Sequence, residues 1–238
     1  MQNDEQAEKS IIEAVQSENI NSKNIVSCFA RDSFNYGNIK FEVRVKPVSL
    51  QNKGVKRAEF KRELQKITRN SKYIITGICW IAIDYYCQHI KREKNPGVYD
   101  IDNIIKPIID GLIGKDGLLI DDVIVNRVTV NWIDTPHDDY FEVEIEYPDL
   151  LFTDKSSLVF LKSESGWCFP SALTLIEDKN YINLMEIYFR TWDSINTEED
   201  YYKNLDNLPI QNFIYYAKIK DKGFDFIELT SVKNNFTK

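Results

Sequence analysis

The chain has 238 residues, with 30 Lys/Arg against 37 Asp/Glu, a net charge of −7 and a pI near 5.1. That balance excludes a uniformly basic surface, so any phosphate-binding patch must be local. Four cysteines without a Cys-x-x-Cys pair exclude a disulfide framework and suit a reduced, cytoplasmic protein.

Residues 1–37 carry three bases and six acids, and predict one helix from about Glu5 to Ser17 followed by a polar linker rich in Asn and Ser. No apolar signal core follows Met1, so no secretion signal is expected. From Ile39 to Lys46 apolar and charged residues alternate, the pattern of a strand with one buried face. Residues Lys56 to Asn70 place Phe60, Leu64 and Ile67 at helical spacing within a charged stretch. Tyr73 to Cys87 is nearly continuously apolar and reads as one strand buried on both faces, too short and too polar to cross a membrane. A helix is expected from about Asn103 to Ile113 with Gly114 ending it. Pro107 requires that its first turn begin close to Asn103, or that it kink. Val123–Ile133 and Tyr140–Tyr147 read as two strands joined by the turn DTPHDD. The expected fold is α/β (α+β): a mixed β-α-β-α-β-β sheet with helices on it over residues 38–149, and a small α+β C-terminal domain over 150–238.

That last region predicts a strand at Leu158–Lys162, helices near Asp178–Trp192 and Glu198–Leu205, and a hairpin pairing Phe213–Lys218 with Phe224–Leu229 across Asp221-Lys222-Gly223. It contains no recognisable motif. Its many aromatics read as core, and the sequence assigns it no role, leaving a protein partner or regulation of the rest of the chain as the open options.

The chemistry concentrates between Tyr99 and Asp122. Asp100 and Asp102 stand one residue apart, Asn103, Lys106 and Asp110 follow at helical spacing, and Asp121-Asp122 close the stretch. So dense a set of like charges either faces water or shares a cation. In extended backbone Asp100 and Asp102 would project to one side and could both reach one ion. Asp121 and Asp122 would point to opposite faces, so only one of them joins it. Mg²⁺, or Mn²⁺ in its place, suits hard oxygen donors of this kind. A calcium EF-hand is excluded, since counting from Asp100 the sixth position is Ile105 and the twelfth Gly111. The two histidines, His89 and His137, fall in no ligand spacing and read as surface residues.

This segment resembles the RusA-like Holliday-junction endonucleases, whose mark is D-x-D-N-x-x-K-x-x-x-D-x-L followed by D-D. Here it reads Asp100-x-Asp102-Asn103-x-x-Lys106-x-x-x-Asp110-x-Leu112, then Asp121-Asp122. Upstream, KPVSLQN (Lys46 to Asn52) is similar to the family's P-x-S-x-N/Q loop. The resemblance covers roughly residues 38–148. It implies a Mg²⁺-dependent endodeoxyribonuclease that hydrolyses branched DNA as a homodimer in recombination and repair. Asp100, Asp102, Lys106 and Asp122 would be catalytic, with Asp100, Asp102 and Asp122 holding the metal and Asp121 the alternative to Asp122. Asn103 and Asp110 would support them.

Charge patterning adds a DNA-binding expectation. Residues 53–94 hold 11 Lys/Arg against four acids, a local balance of +7. Asn52, Lys53, Lys56, Arg57, Lys61, Lys91, Arg92 and Lys94 are the candidate phosphate contacts. Where the family carries basic residues directly before the first Asp, this chain has Asn95 to Tyr99. The competing readings are a nuclease of the same fold cutting flaps or invading DNA, a catalytically silent DNA- or protein-binding module, and an acidic protein that mimics DNA.

Overall fold

The computed structural model describes residues 36–52, 54–95, 100–148, 151–204 and 208–236. The expected N-terminal helix, its linker and Lys53 lie outside them. The fold is α+β.

The first sheet has the order β1 (Tyr36–Val43), β5 (Tyr140–Pro148), β3 (Cys79–Cys87), β4 (Val125–Asp134). Alternation explains its register. Ile39, Ile145 and Ile81 lie side by side, as do Phe41, Val143 and Ile83, and then Val43, Phe141 and Tyr85. These rows form one apolar face. The other face carries Glu42, Glu142 and Asp84 in a row. Helices α1 (Gly54–Thr68) and α3 (Ile101–Leu112) cover the apolar face, with Phe60, Leu64, Ile104 and Ile108 buried against it. Between β3 and α3 runs the short α2 (His89–Lys94).

Four expectations are corrected. Tyr73–Cys87 is two strands, β2 (Tyr73–Ile75) and β3, broken at Thr76–Ile78, and β3 alternates buried with half-buried residues instead of being buried on both faces. The strands flanking DTPHDD are not neighbours: β4 runs parallel to β3 and β5 antiparallel to it, so β3 lies between them. Helix α3 starts at Ile101, before Asn103, and holds Pro107 in its interior. Proline removes the amide that would bond the carbonyl four residues back. That carbonyl, Asn103 O, instead accepts the Leu50 amide at 2.6 Å. The 47–52 loop thus fills the gap that the proline opens.

The fourth correction concerns the C-terminal hairpin. The second sheet has the order β10 (Phe226–Glu228), β7 (Leu158–Lys162), β8 (Trp167–Ala172), β9 (Ile214–Tyr215). The two segments expected to pair therefore lie on opposite edges, with α6 (Tyr216–Ile219) following β9. A small third sheet joins β2 to β6 (Phe152–Asp154). Helices α4 (Lys179–Asp193), α5 (Glu198–Asn204) and α7 (Leu229–Asn235) complete the chain. Asp178 caps α4 by accepting the Asn180 amide at 2.7 Å. Along β7, Phe160 faces the core shared with the first sheet, and Leu161 faces a second cluster with Ile182, Met185 and Phe189 of α4. Phe160, Cys168, Ile214, Ile219 and Phe224 extend the first core into the C-terminal region. No helix among the described residues is long and apolar enough to cross a membrane.

Candidate active site

Helix α1 lies close against α3 because Gly111 presents no side chain: a Cβ there would meet Leu64 Cδ2 at 2.5 Å. The heptad-like stripe of α1 divides the helix. Phe60, Leu64 and Ile67 face the core, while Gly54, Arg57, Ala58 and Lys61 face a cleft of about 400 Å³. Lys106, Pro107, Asp110 and Ile113 of α3 and its exit, Asp122, and Lys222 line the rest.

At its centre Lys106 Nζ donates to Asp122 Oδ2 at 2.5 Å and lies 2.9 Å from Asp110 Oδ1. Burial alone would lower the Lys106 pKa, but its hydrogen bonds to Asp122 and Asp110 outweigh that and raise it, so it stays a cation. Asp110 is therefore a direct ion-pair partner of Lys106. All three side chains remain more than 40% exposed, which leaves them open to a ligand.

The acidic pair divides its roles by burial. Asp121 is 1% exposed, accepts the Val123 amide at 3.0 Å to cap a single 3₁₀ turn, and forms an ion pair with Lys222. Asp122 opens into the cleft. The two carboxylates diverge, and Asp122 is the one that meets Lys106.

Asp100 and Asp102 are exposed at the start of α3. Asp100 is the N-cap but makes no capping hydrogen bond, and Asp102 Oδ1 accepts the Asn103 amide at 2.9 Å. The expectation that both lie in extended backbone and project to one side is corrected: only Asp100 is extended, while Asp102 sits in the first helical turn. Asn103 is buried, and its carbonyl holds Leu50. Among the described residues no three Asp, Glu, His or Cys side chains stand together as a ready-made metal cage. Mg²⁺ does not require one. It binds through one or two carboxylates with water and phosphate oxygens filling the other positions, and the donor chemistry of Asp100 and Asp102 fits that mode.

The candidate DNA contacts fall into two groups. Arg57 and Lys61 line the cleft, and Lys56 is exposed one residue away on α1. The Asn52 side chain closes its own turn by donating to Ser49 O at 3.2 Å. Lys91, Arg92 and Lys94 belong elsewhere. They follow the far end of β3, where Lys91 meets Asp139 at 3.0 Å and Arg92 lies over the Trp132 ring at 5.1 Å. Asp122 precedes the end of β4 that pairs with Cys79, while Tyr86, beside Tyr140, marks the Lys91 end. At ~3.3 Å per residue the two ends are ~20 Å apart. Asp139 is buried, yet Lys91 and Lys46 outweigh that burial and hold its carboxyl below the usual range. The basic segment of the sequence is therefore two patches, one of them at the cleft.

Lys222 is the cleft residue that sequence reasoning missed. The sequence predicts it in the middle of a hairpin turn, and nothing local marks it as a cleft residue. Turns meeting backbone to backbone place it: the Lys115 amide donates to Lys222 O at 3.0 Å, and Lys115 Nζ reaches Asp225 at 2.6 Å. Gly114 (φ +108°) and Gly223 (φ +82°) supply the left-handed backbone that this docking requires. Burial first, and then the Lys61 and Lys106 cations, push the Lys222 ammonium down to about 8, with Asp110 opposing.

Among the described residues, no cysteine or histidine lines the cleft. Cys79, Cys87 and Cys168 are buried free thiols, pushed up by burial to about 12, 11 and 12. His89 and His137 are exposed, as expected. No protein-family model matches the chain, and no curated protein is significantly similar to it.

Proposed function

We propose that the protein is a Mg²⁺-dependent endonuclease that hydrolyses phosphodiester bonds in branched DNA. The observation that supports this reading best is the pairing of Lys106 with Asp122 in a cleft walled by further cations, one helical turn from Asp102. A structural ion pair has no need of a cationic cleft around it, whereas a phosphodiester does.

Asp100 and Asp102 would hold the ion, its other positions filled by water and phosphate oxygens, and Asp122 would join them only by releasing Lys106. When bound, Mg²⁺ supplies Lewis acidity to the scissile phosphate and lowers the pKa of an attacking water. Arg57 and Lys61 anchor the backbone phosphates beside the scissile one. Lys106, held as a cation by Asp110 and Asp122, offers its ammonium to the charge that grows on the non-bridging oxygens. Asp110 keeps Lys106 aimed at the cleft. Water adds at phosphorus as one sugar oxygen leaves; the water gives up a proton to solvent and the leaving oxygen takes one from solvent, so that a phosphomonoester and a free sugar hydroxyl result.

A homodimer would present two such clefts to the two opposed strands of a junction. A cytoplasmic setting agrees with the buried, free thiols.

The test is incubation with an end-labelled four-way junction, a flap and a linear duplex, each in Mg²⁺ and in EDTA. Paired nicks on the junction that disappear in EDTA are the expected result. Cleavage confined to flap or duplex replaces the substrate and keeps the chemistry. Binding with no cleavage in Mg²⁺ rejects the enzyme and leaves a binding module.

A further inference from the structure

We propose that Lys222 is a phosphate-binding residue of the cleft, and that the C-terminal region supplies it. This deepens the nuclease reading and rests on it: the ligand would be a backbone phosphate of the DNA held there.

Geometry carries the assignment. Lys222 lines the same cleft as Arg57, Lys61 and Lys106, with 24% of its side chain exposed. Four cations, two from α1, one from α3 and one from the turn after α6, therefore converge on one opening, against two cleft carboxylates, Asp110 and Asp122. Lys106 is already held by both of those carboxylates. Asp121 lies beneath Lys222 and is 1% exposed, so no ligand in the cleft displaces it. It pairs with the Lys222 ammonium, while Lys222 is at the same time part of the cleft lining. The Lys115–Lys222 backbone bond fixes the chain that carries it. A surface lysine serving only solubility would need neither restraint.

The simpler alternative is that Lys222 is only the counter-ion of Asp121. A variant that deletes one charge cannot separate the two roles, because it leaves Asp121 buried and unpaired. Replacing both, as Asp121→Asn with Lys222→Gln, removes the pair without leaving an orphan charge. The readout is affinity for a labelled four-way junction in EDTA, by fluorescence anisotropy across a salt series, with unfolding midpoints confirming that the double variant is folded.

If Lys222 contacts a phosphate, affinity falls about 3- to 10-fold, and the slope of log K against log salt becomes shallower by about 0.9, one contact's worth. The same slope in wild type and double variant would overturn the assignment while leaving the nuclease reading intact. Absence of junction binding by the wild-type chain at low salt would overturn both. Lys61→Gln in the same series calibrates the loss of one cleft cation.

Discussion

The Leu50 amide donates to Asn103 O at 2.6 Å, the very carbonyl that Pro107 deprives of its helical donor. A loop 53 residues upstream of Asn103 in no sense neighbours it in sequence beyond the chain between, yet it completes the helix and fixes the entrance to α3, where Asp100 and Asp102 stand. Substituting Pro107→Ala restores a competing amide four residues along. We expect Leu50 amide exchange to accelerate about tenfold, the equivalent of about one hydrogen bond, with global stability little changed. Hydrogen exchange resolved at Leu50 checks it, and unchanged protection would refute the coupling.

The Asp121–Lys222 pair joins the C-terminal region to the turn before β4. Lys222→Met leaves a carboxylate that is 1% exposed without its cation. The expected loss is about 2–3 kcal/mol in urea unfolding, at or below the usual range for a broken buried pair because Lys222 is partly exposed. Adding Asp121→Asn should recover most of it. Equal stability of Lys222→Met and wild type would show that the pair does not hold.

Lys106 should behave in the opposite way. Its pairs are half-exposed and screened, so Lys106→Met changes stability by less than about 1 kcal/mol. Junction cleavage should fall at least about 100-fold, the usual size of a lost transition-state charge contact. A variant that loses stability while keeping its cleavage rate would assign Lys106 to the fold alone.

Lys155 predicts a pH signature. Burial pushes its ammonium down to about 8 while it donates to Thr68 O at 2.8 Å. The unfolded chain titrates a lysine near about 10.4, so between about pH 8 and 10.4 the unfolded state holds more protons and this group's contribution rises with pH. Below pH 8 its full cost is present. The buried thiols, with raised pKa values, run the other way above about pH 8.5, so the effect is read as a difference. Stability of wild type minus that of Lys155→Met should climb from pH 7.5 to pH 10. A flat difference would contradict the burial of that charge.

Strand β7 and helix α4 were legible because their patterns are local: Leu158–Lys162 is an apolar run, and Asp178 announces the helix it caps. Lys106, Asp110 and Asp122 were also legible, since the first two are a helical turn apart and the third closes the same motif. What was hidden depended on distant partners. Phe213–Lys218 and Phe224–Leu229 look like a hairpin until β7 and β8 claim the places between them. Pro107 looks like a helix start until Leu50 supplies its missing bond. Lys222 became a cleft residue only through Gly114 and Lys115, more than 100 residues earlier in the chain.

If Asp122 in the cleft and Asp102, one helical turn from Lys106 but outside the cleft lining, both serve hydrolysis, their loss must slow cleavage and spare binding. Single-turnover cleavage of a four-way junction in Mg²⁺ by Asp102→Asn and Asp122→Asn, with junction affinity measured in parallel, tests it most directly. Cleavage is expected to fall at least about 1,000-fold, the size of the loss expected when metal-assisted chemistry is removed, with affinity within about threefold of wild type. Wild-type cleavage by both variants, or equal loss of binding and cleavage, would contradict it.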